Sequence, residues 1–257
     1  MQSGLQKKLV TRPLKQMFGD GDVREERKLH LGCATLTPSG WINLDGSWNA
    51  WLAKHSLLRS VLGFCHVIPP EKAAIQWSKD ILIHDLRNGL PFPDDYLTAI
   101  YASHLLEHLY LKEAKNLLRE CFRALQPGGV VRLVVPDLHS IVLEYMNKRE
   151  LATQSKDGKT LSPGDRLCQS LDLRPESPLQ GNLFYRLYTI AKDFHSHKWM
   201  YDSQSLMGHL SEAGFIDVSE KQFLESKILG IGEVEKEDRL GHRGICVEAV
   251  KPQWARS

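Results

Sequence analysis

Residues 81–137 constrain the fold most. Short β-type runs at Ile81–His84, Leu97–Ala102 and Val130–Val135 flank a stretch of different period. That stretch, residues 110–125, sets Leu111, Ala114, Leu117, Leu118, Cys121, Phe122 and Leu125 on one helical face. Pro127-Gly128-Gly129 turns the chain before the last run, which reads as a strand buried on both faces. Strands alternating with helices predict an α/β fold with a parallel sheet and covered faces. In such sheets ligands sit beyond the carboxyl ends of the strands. Asp85, Ser103, His104 and Asp137 all fall there, so they are expected on one rim.

The flanking segments extend this pattern. Lys28–Leu31 reads as a strand ending at Gly32, and Trp41–Asp45 as a second. Residues 48–62 space Trp51, Leu52, His55, Leu58 and Leu62 as a helix, and Pro69-Pro70 breaks the chain after it. Between Gly32 and Trp41 there is no room for a full crossover helix, since parallel neighbours ordinarily need about a dozen or more connecting residues. The first helix is therefore expected to shrink to a turn. Residues 149–181 are polar and aperiodic, and loops of this kind are usually functional or mobile. Residues 183–192 look helical. Residues 203–213 form a helix opened by Asp202 or Ser203 and stopped at Gly214. Phe215–Val218 and Gly244–Val250 are the last strands, the terminal one expected to be antiparallel.

The 257 residues suit one elaborated α/β domain. We divide it into an N-terminal arm or lid (1–27), a cofactor-binding half (28–148), an insertion forming the acceptor region (149–202) and a closing helix with strands (203–257). A net charge of +2 without a long basic run argues against nucleic acid as an obligate partner. The five dispersed cysteines contain no CxxC pair and read as reduced thiols, so a cytoplasmic location is expected. No apolar run reaches the length of a membrane span, and the N-terminus has no signal-peptide core. Oligomeric state is not written in the sequence.

Asp85-Leu86, Leu90-Pro91-Phe92-Pro93-Asp94, Ser103-His104-Leu105-Leu106-Glu107-His108 and Leu125-Gln126-Pro127-Gly128-Gly129 occur in this order. With residues 28–45 they resemble the class I S-adenosylmethionine-dependent methyltransferases of the type 11 kind, in a subgroup with a shortened Leu-Gly-Cys first motif. The resemblance covers roughly the first 145 residues. It implies a Rossmann-like, mostly parallel seven-stranded sheet with a C-terminal antiparallel strand and an insertion after the fifth strand. It also implies S-adenosyl-L-methionine as cofactor. The turn Leu31-Gly32-Cys33-Ala34 would admit the cofactor to the backbone, because Gly32 has no Cβ. Ala34 stands where a second glycine is common. Asp45 would accept hydrogen bonds from the ribose hydroxyls. Asp85 would take the adenine amino group with Leu86 behind the ring, and Ser103 would close the rim. The competing reading of both aspartates is a capping or turn role.

Methyl transfer from a sulfonium is an in-line displacement that chiefly needs alignment. A hydroxyl or amine acceptor also needs a base, and histidine suits that task near neutral pH. His104 and His197 are the candidates for catalysis. His195, Trp199, Tyr201 and Arg243 are the expected acceptor-binding residues, the first three within the cluster Asp193–Asp202. His104-Leu-Leu-Glu107-His108 also matches the inverted zinc-protease pattern. Its place at a strand-to-helix turn argues against a protease, and we assign no metal ligands from the sequence. Metal-assisted transfer stays open as an alternative. The expected activity is methyl transfer to a small-molecule or sugar-containing acceptor. The contrasting reading is a methyltransferase-like binding or scaffold protein without turnover.

Overall fold

A computed structural model describes residues 26–64, 75–147, 153–154, 160–172, 196–237 and 244–254. The expected arm and the helix at 183–192 lie outside these residues, apart from positions 26 and 27. Seven strands form one sheet: β1 (Lys28–Leu31), β2 (Trp41–Asp45), β3 (Leu82–Ile83), β4 (Leu97–Ser103), β5 (Leu125–Pro136), β8 (Ile216–Lys221) and β9 (Gly244–Val250). Their spatial order is β3-β2-β1-β4-β5-β9-β8. The pairs from β3 through β5 are parallel. The pairs β5–β9 and β8–β9 are antiparallel, so β9 alone runs against the rest. The expected seven-stranded sheet with a terminal antiparallel strand is what forms. A separate hairpin, β6 (Thr153–Gln154) with β7 (Thr160–Leu161), lies in the insertion.

The helices are α1 (Trp48–Ala53), α2 (Ser56–Phe64), α3 (Leu111–Ala124), α4 (Leu138–Asn147), α5 (Pro163–Leu171) and α6 (Ser203–Glu212). Helix α3 buries Ala114, Leu117, Leu118, Cys121 and Ala124, which is the face read from its spacing. Helix α6 starts at Asp202, whose carboxylate accepts from Ser205 N at 2.7 Å, and Gly214 follows it at φ +104°. Residues 48–62 give two helices instead of the single one expected. His55 Nδ1 lies 3.0 Å from the Trp51 carbonyl, and the His55 N–H turns to Leu52 O. The ring thus competes for the acceptor that a continuing helix would give to the backbone. Strand β3 is also shorter than expected, because it is an edge strand paired only through Leu44–Leu82 and Asp45–Ile83. The connection Gly32–Gly40 between parallel β1 and β2 contains no helix, as expected.

Side chains alternate across the sheet. Leu29, Leu31, Val131, Leu133, Val135, Ile245, Val247 and Ala249 share one core with α3 and α6. Tyr101, Val130, Val134 and Cys246 face the other side, covered by Ile228, Ile231 and Val234. Strand β5 departs from the expected apolar run at two places. Its assignment begins at Leu125, and the ladder to β4 steps from Leu97–Leu125 to Ala99–Val130, so the predicted turn at 126–129 loops out of the pairing. Arg132 interrupts the run and is wholly buried. Its guanidinium meets Glu235 through Nε at 3.0 Å and Nη2 at 2.9 Å. It also reaches Glu248 at 3.5 Å and the carbonyls of Gln222 and Glu225. Burial works to lower its pKa, but the hydrogen bonds and charge of Glu235 outweigh it and leave it raised.

Removing that cation strands two buried carboxylates. Arg132→Ala is expected to lower stability by about 3–5 kcal/mol. Urea denaturation followed by circular dichroism measures it, and an unchanged midpoint would contradict this account of the β5 network.

Candidate functional site

The carboxyl ends of β3, β2, β1 and β4 stand side by side in the sheet. They bring Asp85, Asp45, the Gly32–Ala34 turn and Ser103 onto one continuous rim. The turn is held in place by Asp45. Its Oδ2 accepts the Ala34 N–H at 2.9 Å and its Oδ1 accepts the Ser47 N–H at 2.7 Å. Each oxygen then keeps acceptor capacity for another donor. Ala34 adopts a left-handed conformation (φ 49°), one that favours glycine. Leu31 and Cys33 are fully buried, so only their backbones can meet a ligand. Gly32 has φ +62°, and a Cβ there would lie 3.2 Å from Leu105 Cδ1. The bare glycine therefore accommodates Leu105, which crosses from the β4 turn. Sequence reasoning passed over Leu105 as well as Gly46, where a Cβ would meet His84 O at 2.6 Å. Gly46 lets the ends of β2 and β3 touch.

Asp85 takes the capping role that competed with adenine recognition. It caps the short turn Leu86–Asn88 and pairs with Arg87, Oδ2 to Nη2 at 2.6 Å. Leu86 is half-buried against the main core, and Ser103 is buried.

The other side of the rim is built around Glu107. After β4, His104 takes a left-handed turn at φ 50°, uncommon for a residue with a Cβ. His104 Nδ1 lies 3.1 Å from Glu107 Oε1, with the His104 side chain 36% exposed and the Glu107 side chain 0%. The Glu107 carbonyl accepts N–H groups from Lys198 at 2.7 Å and Trp199 at 3.3 Å. Lys198 Nζ donates to His108 O at 2.9 Å, and His108 Nδ1 lies 3.4 Å from Ser196 O. These bonds bring residues 196–199 onto the β4 turn, as the sequence could not show. The His108 and His197 rings meet edge to face at 5.0 Å. Burial, the largest cause, lowers the His108 pKa, with Glu107 opposing and His197 adding to it.

Of the expected acceptor residues, Trp199 is exposed. Tyr201, expected among the acceptor contacts, is instead packed into the core. It is 1% exposed, its backbone bridges to Asp137 beside β5, and its ring lies in the main core. Burial and the charge of Glu107 raise the pKa of its phenol. His195 and Arg243 lie outside the described residues. Asp137, expected on the rim, caps α4 by accepting the His139 N–H at 3.0 Å and the Ser140 N–H at 3.1 Å.

Residues 51–133 match a family described as a methyltransferase domain. No curated protein matched the chain. Among solved structures it is similar to a SAM-dependent methyltransferase from Archaeoglobus fulgidus, at 14% identity over 96% of this chain and 93% of that one, TM-score 0.42. It is similar to a chain of the complex between the Haloferax volcanii Trm112 methyltransferase activator and a methyltransferase, at 12% identity over 97% and 95%, TM-score 0.43. It is also similar to Haemonchus contortus phosphoethanolamine N-methyltransferase 2 in complex with S-adenosyl-L-methionine, at 15% identity over 96% and 53%, TM-score 0.41. The family match bears out the methyltransferase expected from the sequence, and the sheet bears out its fold.

Gly46→Ala forces a Cβ onto backbone and is expected to cost about 1–3 kcal/mol, as overpacking does. Chemical denaturation checks it, and a neutral result would mean that the β2 and β3 ends separate freely.

Proposed function

We propose that this protein transfers a methyl group from S-adenosyl-L-methionine to a small-molecule or sugar-containing acceptor, and that it works in the cytoplasm. The observation that carries the reading is the matched methyltransferase segment together with the continuous rim above it. Asp45 fits the cofactor: it is a nearly buried carboxylate at the rim whose oxygens each hold one backbone N–H and retain room for a hydroxyl donor. When bound, the cofactor supplies an activated methyl on a sulfonium. In this reading Asp45 and the backbone of Leu31–Ala34 hold and orient it. Leu86 backs the ring, Ser103 closes the rim, and Asp85 reaches the adenine edge if Arg87 shares it. The cysteines fit a reducing compartment, since the four described (Cys33, Cys121, Cys168 and Cys246) are free thiols. The modest net charge fits a small acceptor better than nucleic acid.

His104 is the better placed of the two catalytic candidates. Its ring is partly open, and the buried Glu107 carboxylate orients it. It would take the acceptor's proton. The His197 side chain is only 10% exposed, which makes it the less accessible candidate. Trp199, His195 and Arg243 are proposed as the acceptor's contacts. The division into a cofactor half (28–148), an acceptor region (149–202) and a closing segment (203–257) follows the same reading. A binding protein without turnover is the second reading, favoured by the Asp85–Arg87 pairing and by Leu105 lying against Gly32.

Release of S-adenosylhomocysteine from S-adenosylmethionine, driven by fractions of a metabolite extract, separates the two readings. Calorimetric binding without release in any fraction favours the second, and no binding at all defeats the first and leaves the scaffold form of the second. Asp45→Ala is expected to weaken cofactor binding by about 1.5–3 kcal/mol, the range for hydrogen bonds to a charged group. Unchanged calorimetric affinity in the folded variant would remove Asp45 from the site. For a hydroxyl acceptor, His104→Asn is expected to slow turnover by roughly 10²–10⁴-fold with little change in cofactor affinity. Normal turnover in that variant would leave alignment alone as the catalytic device.

A further inference from the structure

Glu107, His108 and His197 each offer one ligand atom, and the three atoms lie within 4.8 Å of one another. They come from two remote segments, the turn after β4 and the stretch following α5 and the insertion. We propose that they form a binding site for a first-row divalent cation, with zinc the best fit. Two imidazoles and a carboxylate suit such borderline ions, whereas magnesium and calcium prefer oxygen alone. Bonds of about 2.0–2.2 Å require only a modest contraction of the cluster.

The arrangement of the remaining atoms supports the assignment. Glu107 is fully buried, with one oxygen facing His104 Nδ1 at 3.1 Å. Its other oxygen, Oε2, is buried and has no hydrogen-bond partner among the described residues. A buried carboxylate oxygen left unpaired is costly, and a cation removes that cost. His197 Nδ1 is likewise buried without a partner, while its Nε2 lies 3.9 Å from Asp172 Oδ2. His108 directs Nδ1 toward Ser196 O at 3.4 Å, leaving Nε2 for another role. Glu107 and His108 each have a hydrogen-bond partner on one atom, His197 has a carboxylate close to its Nε2, and each has a second atom to give, as ligands in metal sites do. A closed hydrogen-bonded cluster would instead have used Glu107 Oε2 and His197 Nδ1 internally.

Three protein ligands leave a coordination position open, as in catalytic rather than structural zinc sites. An acceptor hydroxyl bound there would lose its proton more readily. That consequence, unlike the site itself, rests on the methyltransferase reading.

The test is a titration of the metal-stripped, tag-free full chain with Co²⁺. One ion per chain is expected, with the visible ligand-field absorption of a nitrogen–oxygen site, and Zn²⁺ should displace it. His197→Ala should lose that absorption. Asp172→Asn, an exposed position that acts through His197, should weaken binding by roughly 10–100-fold and decides the matter if the first variant does not fold. A folded wild type that takes up no stoichiometric Co²⁺ overturns the site, and so does wild-type binding by the Asp172→Asn variant. Calorimetry with S-adenosylmethionine on the same metal-free sample tests the methyltransferase reading separately, so each can fail alone.

Discussion

The candidate site depends on one buried group, Glu107. Its carboxylate holds the ring of His104 and its carbonyl receives the N–H groups of Lys198 and Trp199. A carboxylate removed from water is stable only where partners surround it. Its carboxylate meets His104 in the turn after β4, and its carbonyl meets a segment some ninety positions later in the chain. The left-handed turn at His104 is tolerated because the neighbouring contacts fix the ring. Glu107 thus joins the turn after β4 to residues 198–199.

The opposite half of the molecule uses the same device for stability. Arg132 lies in the middle of the sheet, and the stretch from Gln222 to Glu235 closes over it with two carbonyls and a carboxylate. Glu248 on β9 completes the set. Nearer the chain end, Lys251 ties Asp95 and the Leu125 carbonyl together at 2.6 and 2.8 Å. The antiparallel strand β9 is thus fastened to β5 by charge as well as by its ladder. This leaves the carboxyl ends of the parallel strands to carry the site without having to hold the sheet together.

The two sides of the rim differ in character. The side along β1 and β2 is made of backbone and one acid: Gly32, Ala34 and Asp45, with Leu31 and Cys33 turned into the core. Such a surface recognises hydroxyls and an extended ligand by hydrogen bonding and close approach. The side beyond β4 is made of titratable side chains, the buried Glu107 with the partly buried His108 and His197, and has His104 at its open edge. Proton handling and cation binding belong to that chemistry. In the proposed reading the first side would position the cofactor and the second would meet the acceptor, a division that suits a displacement requiring alignment first.

The sequence by itself determined the alternation of strands and helices, the face of α3, the caps of α6 and the rim positions of Asp45, Asp85 and Ser103. These are local matters of period, turn chemistry and chain order. Gly32 and Ala34 were legible as a tight turn for the same reason. Tertiary structure decided the rest. Residues 130–135 read as a continuous apolar run, and only the fold shows how Arg132 lies buried within it, against Glu235 103 residues away. Tyr201 looked like a pocket residue, yet its bridge to Asp137 turns the ring into the core. Glu107, His108 and His197 carried no spacing that unites them, because their proximity arises from backbone bonds between two segments remote in the chain. Periodicity records which way a side chain faces; only the closed fold fixes which distant group it meets.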